Sequence, residues 1–445
     1  MPSTRHSIGQ LAAYGLFGLP LAMAALPLYV HLPKFYGDDL GLSLATVGFV
    51  LLVTRLLDAI SDPLIGYWCD RTAQRAWWMA AAIPLLAVGM LALFFPRATG
   101  TGLVVWLTAA VFVTYLGFSI ASIAYQAWGA ALSDDRHERT RITGVREALA
   151  LVGVIVAAAL PSALGGENAL GLGRTAWVFA ALIGVCGVLT IALAPRPPVT
   201  LASAPERFFV ALSVPFANRG FRWLVAVFVP AGIAAAIPST LVLFFIADVL
   251  HAQAWTGAFL VAYFLAAAAG IPCWVWLSGR YGKTSAWLAG MLLAVVAFVW
   301  AYGLGAGDVW PFAAICVLSG FALGADLVLP ASILADVIDA DMIHENAASG
   351  RATQRRVRRE GSYFGLWNLL TKANLALAAG IALPSLAWMG YSPGAGERLH
   401  MLSIAYCLLP CAFKLLAAAT LVGASRRIRT LTLRGAAVRE FKNGR

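Results

Sequence analysis

The residues best suited to chemistry sit together in one stretch, Arg55-Leu56-Leu57-Asp58-Ala59-Ile60-Ser61-Asp62-Pro63, inside a long apolar run. Positions four apart share a helical face, so Asp58 and Asp62 project side by side. Arg55, three before Asp58, lies on nearly the same face. Two adjacent carboxylates in a medium of low dielectric repel each other, and one keeps a proton unless a cation neutralises them. Hard cations take oxygen ligands, which these groups supply. The chemistry predicted is capture and release of H+ or Na+. A structural ion pair between Arg55 and Asp58 is the plainer alternative, and it leaves Asp62 unexplained.

Other ionisable residues also stand inside apolar runs, where each costs at least about 2.5–3.5 kcal/mol on insertion scales. Lys372, flanked by Thr371 and Asn374, is too far from the ends of its run to snorkel comfortably. It calls for a partner such as the carboxylate pair, and with Arg55 it is a candidate for charge balance. Arg146 is followed by Glu147; adjacent helical positions point about 100° apart, so Glu147 is not expected to satisfy it simply. The plain alternative for Arg146 is snorkelling to the cytoplasmic surface. Asp326, with Gly324 and Pro330, marks a broken or flexible helix with a structural or gating role. Cys69, Cys186, Cys273, Cys316, Cys407 and Cys411 form no CxxC or Cys/His pattern and read as small packing residues, and His31 as a packed or interface histidine.

The elements that must position these groups follow from composition. The chain has 445 residues, 61% hydrophobic and 12% charged, with mean hydropathy +0.80; soluble domains carry about twice that share of charge. Apolar runs of roughly 17–25 residues fall at about 9–33, 43–67, 77–95, 103–128, 142–164 and 174–194, then 221–247, 254–278, 284–304, 309–335, 360–387 and 399–423. The expectation is an all-α polytopic membrane protein of twelve transmembrane helices in two six-helix halves. Its parts are 1–194, a polar linker at 195–220, 221–423, and a basic tail at 424–445. The first run has spanning length and no A-x-A site, so it reads as a span and not as a cleavable leader.

Of the 32 Lys and Arg residues, 24 fall on one face of that arrangement. The asymmetry places both termini in the cytoplasm of a bacterial inner membrane. It also explains the net charge of +11 without nucleic acid. The arginine-rich loop at about 347–359 and the tail read as topology anchors that touch anionic lipid.

Several motifs resemble a known family. After the second run stands Gly66-x-x-x-Asp70-Arg71, and after the eighth Gly279-Arg280-Tyr281-Gly282-Lys283. Both resemble the loop signature of the major facilitator superfamily, the second in degenerate form. Arg55-x-x-Asp58-Ala59-Ile60-x-Asp62-Pro63-x-x-Gly66 is similar to the signature of the glycoside–pentoside–hexuronide:cation symporters, the melibiose-permease-like branch. So are Asp134-Asp135-Arg136-x-Glu138-Arg139, Ala335-Asp336-Val337-Ile338-Asp339 and Arg359-Glu360-Gly361.

The resemblance implies that Asp58 and Asp62 bind the coupling Na+ or H+ with a hydroxyl from the fourth helix, here Ser119, and that Lys372 lies near that site. It gives Arg146 a contact to substrate, and Gly66, Asp70 and Arg71 conformational roles. The sugar-gripping carboxylates of melibiose-type members are absent: Pro20 and Ser122 stand in their places, and Gln126 where an aromatic is expected. Tyr125, Ser122, Gln126 and Arg146 remain as candidate substrate contacts, and an anionic solute would suit Arg146.

The expected activity is symport of a small polar solute, a sugar, glycoside or sugar acid, by a monomer without a cofactor beyond the coupling ion. Proton-driven export fits the same residues. A membrane enzyme would need a polar cluster near one surface, for which Asp336, Asp339, Asp341 and His344 are the best candidates. A sensor that kept the fold and lost transport is the third alternative.

Overall fold

A computed structural model describes residues 6–25, 27–32, 35–42, 44–72, 74–133, 135–165, 169–197, 208–348, 360–389 and 398–423. Within bilayer hydrocarbon a backbone must satisfy its own hydrogen bonds, which favours helices. The elements among the described residues are helical. In chain order they are α1 (Ile8–Gly15), α2 (Gly18–Met23), α3 (Leu44–Thr72), α4 (Arg75–Phe94), α5 (Thr101–Ala131), α6 (Arg136–Ala163), α7 (Ala169–Leu193) and α8 (Phe208–Ala217). There follow α9 (Arg219–Phe244), α10 (Thr256–Tyr281), α11 (Lys283–Ala301), α12 (Val309–Ala348), α13 (Glu360–Trp388) and α14 (Leu399–Gly423). Nine helical spans among the described residues are long and apolar enough to cross a membrane. Large apolar side chains such as Val105, Val188, Val296 and Trp310 are 62–75% exposed, so these helices turn apolar groups outward, as lipid requires.

The first apolar run is not one regular helix. Pro20 has no N–H to give the Leu16 carbonyl, and Leu19 instead donates to Leu16 across a tight turn at 3.3 Å. Beyond α2 the run continues as π-helical turns at Pro27–His31 and Phe35–Asp39. By contrast, α12 runs unbroken through Asp326 and Pro330, which corrects the expected break there. The expected linker is not polar throughout either, since the apolar segment Phe208–Ala217 forms α8. The arginine-rich loop, the tail and the middle of the linker lie outside the described residues.

Two compact units divide the chain: Met1–Ser213 with Thr353–Leu369, and Val214–Ala352 with Leu370–Arg445. The first has a core around Tyr14, Phe17, Leu86, Leu107, Val111 and Phe179. The second packs around Ile237, Leu241, Phe245, Phe259, Phe312 and Tyr406. Within the first unit, α3 and the start of α13 meet backbone to backbone. A Cβ at Gly66 would lie 2.2 Å from the Gly361 carbonyl oxygen, and one at Gly365 would lie 2.6 Å from the Asp62 carbonyl oxygen. Only glycine allows that approach.

Candidate functional site

In the first unit α3 presents Asp58 and Asp62 one turn apart, 5% and 0% exposed. From α5 comes Ser119, also fully buried, whose hydroxyl donates to Asp58 Oδ1 at 2.6 Å. Ser61 donates to the Asp58 carbonyl oxygen at 2.8 Å, and buried Thr54 to that of Val50 at 2.7 Å. Arg55 is exposed on the same helix, and Lys372 is half-buried on the part of α13 in the second unit. Two acids and a hydroxyl thus share a water-poor space, where a cation or a proton lowers their electrostatic cost.

The face of α5 that carries Ser119 also carries Ser122 and Gln126, at helical spacings of three and four. Gln126 Nε2 donates to Ser122 Oγ at 2.9 Å and to Asn368 Oδ1 of α13 at 3.2 Å. Asn368 was not among the sequence candidates. It carries no charge and matches no quoted motif, so only its position beside Gln126 gives it away.

Tyr125 and Tyr14 interlock, each hydroxyl donating to the other's carbonyl oxygen at 2.8 and 2.9 Å. Their rings lie 4.6 Å apart. Beside them Arg146 pairs with Glu147, Nε at 3.0 Å and Nη2 at 2.5 Å from Oε1. This corrects the expectation that adjacent positions keep these residues apart. The guanidinium stem is long enough to bend back, and the half-buried Glu147 spares the buried guanidinium an uncompensated charge. Pro20, which occupies a sugar-gripping position in the resemblance, is buried within α2.

The loop-signature residues diverge. Arg71 is exposed, donating to the Tyr67 hydroxyl at 2.8 Å. Asp70, beyond the apolar run in the last turn of α3, caps the start of α13. Its Oδ1 accepts from Gly361 N at 2.6 Å, and its Oδ2 from Ser362 N at 2.7 Å and Ser362 Oγ at 2.8 Å. Burial, then the charge of Glu360, pushes its carboxyl up to about 6, while the Ser362 and Gly361 donors hold it down. Arg75 pairs with Glu360 at 2.9 Å next to this cap.

In the second unit Asp326 binds Lys414 and accepts from Trp287 Nε1 at 2.9 Å. Lys414 stands inside the last apolar run, 399–423. Lys283, from the degenerate loop signature, pairs with Asp336 at 2.7 Å. Asp336 is therefore engaged in an ion pair, and among the described residues no three His, Cys, Asp or Glu groups could hold a metal. The side chain of His344 lies outside those described.

A family profile described as MFS/sugar transport protein matches residues 11–423. The chain is 26% identical over 331 residues to the isoprimeverose transporter of Lactiplantibacillus pentosus, covering 69% of this chain and 67% of that protein. It is 23% identical over 432 residues to sodium-dependent lysophosphatidylcholine symporter 1 of Gallus gallus, covering 87% and 80%. The crystal structure of the Escherichia coli fucose:proton symporter superposes with a TM-score of 0.66 at 15% identity, covering 92% of this chain and 98% of that one.

Proposed function

The chain belongs to the MFS/sugar transport family of the major facilitator superfamily, and from that premise we propose that it is a cation-coupled symporter whose coupling ion binds at Asp58, Asp62 and Ser119. It is a multi-pass membrane transporter with the superfamily's fold, and the family sets aside the enzyme reading. The observation that carries the cation site is the 2.6 Å bond from Ser119 to Asp58, with Asp62 buried one turn further on. A hydroxyl that donates to a carboxylate keeps lone pairs for a cation, so the three side chains form an oxygen set for Na+ that also accepts H+.

The substrate, in this reading, is a small polar solute recognised by the Ser122–Gln126–Asn368 group and steered by Tyr125 and Arg146. The isoprimeverose transporter among the relatives supports a sugar or glycoside. Because Glu147 already meets the charge of Arg146, a neutral solute fits better than the sugar acid expected earlier. The lysophosphatidylcholine symporter supports a second reading, an amphiphilic substrate without a sugar. Lys372 and Arg55 would balance charge as the site empties, and Asp70, Gly66 and Arg71 would time the conformational exchange. Transport by a monomer in the inner membrane, with both termini cytoplasmic, completes the proposal.

The test is uptake into vesicles carrying separately imposed Na+ and H+ gradients, with a panel of glycosides and lysophospholipids. One gradient drives uptake in the wild type. Asp58→Asn and Asp62→Asn lose gradient-driven uptake while remaining folded by circular dichroism, and unchanged uptake in both would refute the assignment.

A further inference from the structure

Asp326 and Lys414 have no part in the coupling site just described. Asp326 lies on α12 and Lys414 on α14, within the second unit, with side chains 16% and 6% exposed. Lys414 Nζ donates to one carboxylate oxygen and Trp287 Nε1 to the other. The pair borders a cavity that Tyr263, Ser319 and Cys411 also line among apolar groups. Two of the lining residues are prolines. Pro238 cannot donate to the carbonyl of Ala234, another lining residue, one turn earlier. The Asp326 carboxylate, the Ser319 hydroxyl and the Tyr263 phenol bring oxygen, which hard cations select, to a cavity otherwise lined mostly by apolar groups. Asp326 also lies at nearly the same depth in α12 as Ser119 does in α5, each being the fourth span of its half.

We propose that this is a second monovalent-cation site, in which the tethered ammonium of Lys414 takes the place of the ion. An Asp326 carboxylate in this setting needs a positive charge beside it, and the lysine supplies one that never leaves. The second unit thereby carries a permanent cation, and an exchangeable ion enters only when the ammonium is removed. Sodium, lithium and methylammonium are the species that match its charge and size.

The experiment compares purified full-length wild type with Lys414→Ala. Equilibrium binding of radiolabelled sodium should give one more ion per chain in the variant. Sodium, lithium or methylammonium, but not choline, should raise its melting temperature beyond any change in the wild type. The readout is the difference between the two proteins, so a failure of the Asp58–Asp62 reading shifts both totals and leaves the increment intact. No increment, together with melting indifferent to small cations, overturns the proposal. Should Lys414→Ala not accumulate, the double variant Lys414→Met with Asp326→Asn, which removes both charges, should accumulate as the wild type does. A double variant as deficient as the single one also overturns it.

Discussion

At the scale of single residues, the acids on the helices are distinguished by what meets them. Asp58 accepts a hydroxyl, Glu147 an arginine, Asp326 a lysine and Asp70 two backbone amides and a hydroxyl. At Asp58 and Asp62 two buried carboxylates share one helical face within an apolar run, which is why the coupling ion is proposed there. Ser119→Ala should raise the cation concentration for half-maximal uptake by about tenfold, the equivalent of one hydrogen bond to a charged group. Uptake measured across a sodium and a pH series checks this. Glu147→Gln removes the partner of a buried guanidinium and should destabilise the protein by about 3–5 kcal/mol. A clear fall in melting temperature is expected, and an unchanged value would mean that Arg146 has another anchor.

At the scale of elements, glycine spacing decides how α3 meets α13. Gly66→Ala places a methyl group against the Gly361 carbonyl, and the overpacking should cost about 1–3 kcal/mol. The helices would have to part, and with them the cap made by Asp70. That cap also brings a pH dependence. The Asp70 carboxyl is held near 6 in the folded protein, above its ordinary 3.8, so folding takes up a proton between those values. Its contribution to stability is complete below about pH 4 and is lost as pH rises through 6. Melting temperatures of the wild type should therefore fall relative to Asp70→Asn between pH 4 and 7 and run parallel above. Parallel curves throughout would show that this carboxyl titrates normally.

At the scale of the whole molecule, the uneven spread of Lys and Arg predicts orientation. In a cysteine-free background, a cysteine at Arg280 should react with a membrane-impermeant thiol reagent only from the cytoplasmic side. One at Arg97 should react only from the outside. Reversed labelling would invert the topology and leave the fold untouched. Each unit has its own core and its own ion pair at the head of a helix, Arg75 with Glu360 in one and Lys283 with Asp336 in the other. The loop signature is thus echoed in chemistry as well as in sequence.

Much of this was legible in the sequence, because lipid is a severe solvent. Apolar runs long enough to cross a bilayer must become helices, so the helical fold and the placing of Asp58 and Asp62 side by side within one helix could be read from residue type and spacing. Which group answers each charge could not. Ser119 lies 61 positions from Asp58, and Asn368 is 242 from Gln126. The bend of Arg146 back to Glu147 and the meeting of Lys414 with Asp326 depend on rotamers and on helix packing. Periodicity specifies the face on which a side chain stands. The partner across the gap is chosen only when the helices close around it.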